Sequence, residues 1–257
     1  MRVTVCELPH ELDALDAAWS ALCDHTATEG SELVVMPEFV FIEPLWLLDH
    51  FDAVAWLHAE AVADVWLQRL PELRARFVVG TRPVAEGDRH FNEGFLWSRD
   101  NGLVPLRRKH YLPDEPGGFE ARWFDRGAAT FPVYTAGNLS FGLNICTELW
   151  ALDTYRNYTA ADVAAIIAPR ATAASTTGKW LSLGTVAAVA SGCYCLSSNR
   201  VQPDGVCGGV GWIIEPDGAL IARTSSVEQF CTRDIDPLRS KQARLTYPRY
   251  VFKPDVR

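Results

Sequence analysis

The sequence predicts an α/β protein in which parallel strands and helices open the chain and antiparallel pairs enter later. Three observations carry this reading. Short apolar runs of strand length alternate with segments of helical period up to Leu70. The chain then switches to closely spaced strand candidates, two of them joined by Asp100-Asn101-Gly102, whose residue types favour a hairpin. Apolar strand-length runs return from Phe141 onward, first between helix candidates and finally in a strand-rich end.

Arg2 to Leu8 alternates around Val3, Val5 and Cys6 and reads as the opening strand, and Glu11 to Thr28 carries Leu12, Leu15, Trp19 and Leu22 at helical spacing. Gly30 and Ser31 break the chain. Leu33 to Met36 is apolar throughout, as expected of a strand covered on both faces, and Pro37 stops it. The helix expected over Asp52 to Leu70 turns Val54, Leu57, Ala61, Val65 and Leu70 inward. Strands follow at Phe77 to Arg82, Glu93 to Ser98 and Leu103 to Leu106. Phe141 to Ile145 and Val163 to Ile167 flank a helix over Leu152 to Ala161. A small-residue helix spans Lys179 to Ser191. Tyr194 to Ser198, Val210 to Ile214, Ala219 to Arg223 and Glu228 to Thr232 complete the strands, with the turn Glu215-Pro216-Asp217-Gly218 between two of them.

No internal repeat, low-complexity segment or linker interrupts the chain, so residues 1–257 are expected to form one domain. The composition, 48% hydrophobic and 22% charged, is that of a globular protein. A formal net charge of −8 argues against a nucleic-acid partner, which needs clustered Lys and Arg. No apolar run approaches the roughly 18 residues that span a bilayer, and the acidic start MRVTVCELPHELDALD is unlike a secretory signal. No membrane association and a cytoplasmic location are therefore expected. The seven cysteines are odd in number and form no CxxC pair, which fits free thiols in a reducing compartment.

Three reactive residue types stand just beyond strand ends: Glu38 after LVVMP, Lys109 after VPLRR and Cys146 after FGLNI. In sheets with parallel strands such positions face the crevice where ligands bind. A carboxylate could take the thiol proton, the thiolate attack a carbonyl, and an ammonium stabilise the developing oxyanion. Taken alone, the same residues also fit a solvated ion pair and a packed thiol. The loops Phe39 to Leu48, Lys109 to Arg126 and Pro169 to Gly178 are long for simple connections, and each follows a strand.

Around these residues the sequence resembles the nitrilase superfamily of carbon-nitrogen hydrolases. The resemblance lies in LVVMPEF at Glu38, RRKHYLPDEPGGFEARWFDRG at Lys109 and Glu120, and GLNICTELW at Cys146. It continues through ADVAAIIAPRA, SGCYCLSSNRV, GGVGWIIEPDG and DIDPLRSKQARLTYPRY, nearly the whole chain. It implies a four-layer αββα sandwich, a general base at Glu38, an oxyanion-stabilising Lys109, a nucleophile at Cys146 and a second glutamate, Glu120, that positions substrate and assists proton transfer. The Thr147 amide would be the other oxyanion donor. The implied reaction needs no metal or organic cofactor: a small linear amide or N-carbamoyl compound forms a thioester on Cys146 and releases ammonia. A homodimer or larger homo-oligomer is implied too.

The loop KHYLPDEPGGFE resembles that of N-carbamoylputrescine amidases. Glu7, where relatives carry Gln, and FVFIEPLW, where many carry Gly-Tyr, depart from the family near the expected pocket. A nitrilase, an acyltransferase using the same thioester, and a catalytically silent binding protein are the competing readings.

Other candidates concern the pocket. Arg170 is expected either to hold a substrate carboxylate through its planar fork or to form a surface salt bridge. Trp123, Phe124 and Trp150 are candidate pocket walls or core, and Glu148 a support for the site. Cys193 and Cys195 would share one face of a strand, but no neighbouring histidine or second pair completes a zinc site, so no metal is expected. Arg107 and Arg108 read as a solvated strand end and His110 as a hydrogen-bonded loop residue. The aromatic, basic ARLTYPRYVFKPDVR is the candidate intersubunit arm.

Overall fold

Alternation along the first strands decides how the layers stack. In the computed structural model, which describes residues 1–252, β1 (Arg2–Leu8) sends Val3 and Val5 to one face and Cys6 and Leu8 to the other. β2 (Leu33–Val35) divides Leu33 and Val35 from Val34 in the same way. The first set packs against a second sheet, and the second set packs against helices.

α1 (Leu12–Glu29) supplies Leu15, Trp19 and Leu22 to that helix layer and ends where Gly30 takes a left-handed φ of 62°. Each fully buried side chain of this kind contributes about 1.5–3 kcal/mol. α2 (Ala53–Leu67) starts where the Asp52 carboxylate accepts the Val54 and Ala55 amides. β3 (Phe77–Glu86), β4 (Arg89–Ser98) and β5 (Gly102–Arg108) then run antiparallel. The short α3 (Glu120–Trp123) lies in the long loop after β5.

The second half holds β6 (Val133–Ala136), β7 (Leu139–Leu143), α4 (Asp153–Ala160), β8 (Ala165–Ile167), α5 (Thr177–Ser191), β9 (Tyr194–Ser197), β10 (Asn199–Arg200), β11 (Trp212–Ile214), β12 (Leu220–Arg223), β13 (Phe230–Asp234) and α6 (Pro237–Ala243). One sheet has the order β10-β1-β2-β3-β4-β5 with β13 on β1, and the other is β12-β11-β9-β8-β7-β6. β1, β2 and β3 are parallel neighbours, as are β7, β8 and β9. Phe141, Leu143 and Ile167 of the second sheet meet Val5, Val35 and Val79 of the first, while Tyr155, Tyr158 and Leu183 come from α4 and α5. The result is the four-layer αββα sandwich.

Several expectations are corrected. On α2, Val54 and Leu57 are 77% and 65% exposed, and Ala61 and Val65 also face outward. Trp56, Ala59, Ala63 and Trp66 fill the core face instead. This helix is apolar nearly all round, so periodicity could not choose a face, and the indoles bury more area than the aliphatic side chains they displace. Leu12, in the first turn of α1, is exposed. The β3–β4 hairpin is longer than expected, closing near Gly87 at φ 60°. β6, β10 and α6 were not anticipated. Of the candidate arm, residues 253–257 lie outside the described residues, and Tyr247, Tyr250 and Phe252 are exposed. Among the described residues no helix is long and apolar enough to cross a membrane.

Candidate active site

Three strand ends converge. β2 ends at Val35, and beyond Met36 and Pro37 the Glu38 amide donates to Arg170 O at 3.1 Å. Phe39 follows at φ 48°, its amide held by Thr81 Oγ1 at 2.8 Å. Beyond β5, the Lys109 amide donates to Asn92 O at 2.8 Å and its carbonyl accepts from Gly127 N at 2.9 Å. A Cβ on Gly127 would stand 2.3 Å from Arg108 O, so this close approach requires glycine.

Beyond β7, the Asn144 side chain donates to Glu148 O and Thr154 Oγ1 and accepts from the Tyr158 hydroxyl. Cys146 follows at φ 47°, its amide on Pro169 O at 2.9 Å, and begins a 3-10 turn. Left-handed φ at non-glycine residues costs roughly 1–3 kcal/mol and persists only where the surroundings enforce it. Here two such residues, Phe39 and Cys146, sit at or next to predicted site residues.

Lys109 joins the carboxylates. Its Nζ is fully buried and donates to Glu38 Oε1 at 2.8 Å and to both oxygens of Glu120 at 2.8 and 2.7 Å. Asn92 Nδ2 also donates to Glu38 Oε1 at 2.8 Å. Burial alone would lower the Lys109 pKa, but Glu120 and Glu38 outweigh it and hold the ammonium charged well above its usual range. Burial pushes the Glu120 carboxyl up to about 7, with Lys109 opposing and Glu38 adding to the rise. Burial, then the Glu38 charge, raises the Cys146 thiol, and Lys109 and the Ala171 amide pull the other way. The buried Cys146 side chain is thus favoured in its neutral thiol form at rest. A base beside the ammonium can remove the thiol proton as an electrophile arrives.

The Thr147 amide donates to no acceptor among the described residues, which leaves it available next to the sulfur. Thr147 also lines a cavity of about 560 Å³ with Tyr111, Trp150, Trp180, Arg126 and Lys179. Trp150 lines this cavity and is half exposed. Trp123 and Phe124 do not line it: they are buried behind Phe39, with Phe124 stacked on it at 5.1 Å and the Trp123 indole N–H on Leu48 O.

Glu148 is a support inside the protein. Its fully buried carboxylate accepts from both terminal nitrogens of Arg107, from the His110 amide at 2.7 Å and from the Ile145 amide at 3.0 Å. It therefore ties the Lys109 strand end to the Cys146 turn. This corrects Arg107, which is buried and also lies over Phe131, whereas Arg108 does pair near the surface with Glu86 and Glu93. The His110 ring contacts Gly127 O at 2.8 Å.

Arg170 is corrected as well. Its guanidinium is buried and engaged with Ser197, Thr172 and Val210, so it forms no surface salt bridge and is turned away from a carboxylate clamp. Glu7 is buried, accepting from the Val210 amide and the Thr224 hydroxyl. Cys193 lies just ahead of β9 and donates to Val163 O, while Cys195 accepts from the Trp212 indole. The described residues contain no group of three or more His, Cys, Asp or Glu able to hold a metal. Asn92, Thr81 and Arg200 were not singled out from the sequence. Asn92 falls one residue ahead of the expected strand Glu93 to Ser98, and Arg200 is marked only as part of SSNRV.

The pattern of the carbon-nitrogen hydrolase family matches residues 2–245. The chain belongs to the carbon-nitrogen hydrolase family. Solved structures share the fold of this carbon-nitrogen hydrolase at low sequence identity. The carbon-nitrogen hydrolase from Helicobacter pylori G27 aligns with TM-score 0.84 and 17% identity over 98% of this chain and 95% of that one. A CN-hydrolase superfamily protein from Xanthomonas campestris, solved with an arsenic adduct in its active site, aligns with TM-score 0.79 and 18% identity over 99% and 97%. A mutant of the amidase from Nesterenkonia sp. AN1, with the acetamide moiety of fluoroacetamide added covalently at its active-site cysteine, aligns with TM-score 0.76 and 16% identity over 94% and 92%. No curated protein matches the carbon-nitrogen hydrolase in sequence.

Proposed function

We propose that this carbon-nitrogen hydrolase cleaves a small linear amide or N-carbamoyl compound through a thioester on Cys146, with release of ammonia. The observation that carries the reading is the buried Lys109 ammonium held between Glu38 and Glu120 at the rim where Cys146 emerges with a left-handed φ.

In the cycle, Glu38 takes the thiol proton as the Cys146 sulfur attacks the substrate carbonyl carbon. The Lys109 ammonium and the Thr147 amide hold the developing oxyanion. Collapse of the tetrahedral intermediate breaks the C–N bond, and the proton passes from the carboxylates to the departing nitrogen. Water then gives its proton to Glu38 and attacks the thioester, and the C–S bond breaks as the sulfur regains a proton. The covalent adduct at the active-site cysteine of the Nesterenkonia amidase supports a nucleophilic role for Cys146.

KHYLPDEPGGFE resembles the loop of N-carbamoylputrescine amidases, and its Asp114 and Glu115 line the cavity that Thr147 borders, which supports including carbamoyl amines among the substrates to be tried. The reading includes a homodimer, for which the exposed Leu152, Val186 and Phe252 around a groove of about 950 Å³ on α4 and α5 offer an apolar face.

The test is a panel of amides, carbamoyl amines and nitriles, read by mass spectrometry for an adduct on Cys146 and by ammonia release. Amides or carbamoyl compounds should give both, and Cys146→Ala should fold and give neither. Turnover by Cys146→Ala near the parent level overturns the reading. Acid formed from a nitrile but not from the matching amide assigns the chain to nitrile hydrolysis instead.

A further inference from the structure

The segment just beyond β8 touches both ends of the proposed chemistry with three successive residues. Pro169 O accepts the Cys146 amide at 2.9 Å, and Arg170 O accepts the Glu38 amide at 3.1 Å. The Ala171 amide lies close enough to the Cys146 sulfur to draw its pKa down. β8 itself stops at Ile167, and beyond it the backbone keeps only an isolated parallel bridge from Arg170 to Asn199, with the Arg170 amide on Ser198 O at 3.0 Å and its carbonyl taking the Arg200 amide at 3.2 Å.

The Arg170 side chain adds to this bridge and ties the segment to Ser197 of β9 and to Val210, just ahead of β11. Nε donates to Ser197 Oγ at 2.7 Å and Nη1 to Thr172 Oγ1 at 2.7 Å, while Nη2 donates to Val210 O. Its Cζ stands 3.9 Å from the centre of the Trp212 ring. Three separate parts of the chain meet on one planar fork, a geometry that a lysine ammonium does not reproduce. The guanidinium is 1% exposed and pairs with no carboxylate among the described residues. A buried unpaired cation is costly, and a fold that needed only filling here would carry an apolar side chain. Val210, at the far end of the fork, is itself held at a left-handed φ of 65°, with its amide on Glu7 Oε1 at 2.6 Å. The clamp therefore runs from Glu7 through Val210 and Arg170 to the two reacting side chains.

We infer that Arg170 is a positioning residue: its buried guanidinium fixes Pro169–Ala171, and through their backbone the placement of Glu38 and Cys146. The inference rests on the functional reading above and goes beyond it, since the Arg170 side chain bonds to Ser197, Thr172 and Val210 and not to Glu38 or Cys146.

The experiment compares Arg170→Gln and Arg170→Lys with the parent on the best amide of the panel, after circular dichroism has shown that they fold. A displacement of about 1 Å at reacting groups can lower the rate about 100-fold. Both variants should lose roughly 10- to 100-fold in kcat with KM within about twofold, and Cys146 should alkylate more slowly with iodoacetamide at fixed pH. Should Arg170→Gln not fold, Thr172→Val removes one contact of the fork. It should lose about 3- to 10-fold in kcat, which Thr172→Ser restores. A folded Arg170→Gln with parent kcat and alkylation rate overturns the inference, as does a raised KM with kcat unchanged, the mark of a substrate contact. Either result, with Cys146→Ala and Glu38→Gln still inactive, removes the positioning role alone. Parent-level activity in Cys146→Ala or Glu38→Gln removes the functional reading.

Discussion

Glu148→Gln is a near-isosteric change with a large expected cost. Each carboxylate oxygen takes one guanidinium N–H of Arg107 and one backbone N–H, from His110 on Oε1 and from Ile145 on Oε2. Whichever way the amide is oriented, its NH2 faces two donors, and the buried Arg107 loses its countercharge. Breaking one partner of a buried pair costs about 3–5 kcal/mol, and leaving a buried amide unpaired is itself worth about 1–3 kcal/mol. The expected loss is about 3–5 kcal/mol in urea unfolding. At about 2–4 °C per kcal/mol for a chain of this size, the melting temperature should fall roughly 6–20 °C. The paired replacement Arg107→Met with Glu148→Leu removes both charges and should regain much of that stability. It should not regain activity, because the His110 and Ile145 amides still lack their acceptor and the Cys146 turn is loosened. A loss under about 1 kcal/mol for Glu148→Gln, or a double variant no more stable than the single one, refutes the reasoning.

Further expectations follow from the same geometry. Glu120 binds its proton more tightly folded, at about 7, than at its ordinary 4.5, so its contribution to stability is full below pH 4.5 and lost as pH rises through 7. Denaturant midpoints from pH 4 to 8 should therefore fall more steeply for the parent than for Glu120→Gln, and equal slopes would count against the shift. Asn92→Leu removes a hydrogen bond to the Glu38 carboxylate and should lower kcat about tenfold with little change in secondary structure. Gly127→Ala should push the backbone at Arg108 away, lower kcat and cost about 1–3 kcal/mol, measured by steady-state kinetics and thermal melts.

What the sequence disclosed tracks where local pattern is decisive. Apolar runs closed by Pro37 or by the turn at Cys146 mark strand ends, so the positions of Glu38, Lys109 and Cys146 were legible from their neighbours. The inward face of α2 was not, because Val54, Leu57 and Val65 compete with Trp56 and Trp66 for the core and only the three-dimensional fit decides between them. Charged residues misled in a consistent way. Arg107 reads as a solvated strand end and Arg170 as a carboxylate clamp or surface salt bridge, yet both are buried, and their acceptors are a carboxylate, hydroxyls and a backbone carbonyl, most of them far along the chain. Such long-range polar partners leave no local periodicity. Glu120 meets Lys109, whereas Glu148 meets Arg107 and the His110 and Ile145 amides, a difference set by partners far along the chain.

The site straddles the seam of the sandwich: Glu38 and Lys109 ride on the first sheet, and Cys146 rides on the second. Neither sheet holds a complete set, so a chain with all its strands and helices formed but its sheets undocked would be inert. Turnover on Cys146 is therefore a gauge of how the two halves meet. On gradual heating it should fade before the helical signal does, marking the moment the halves slip apart.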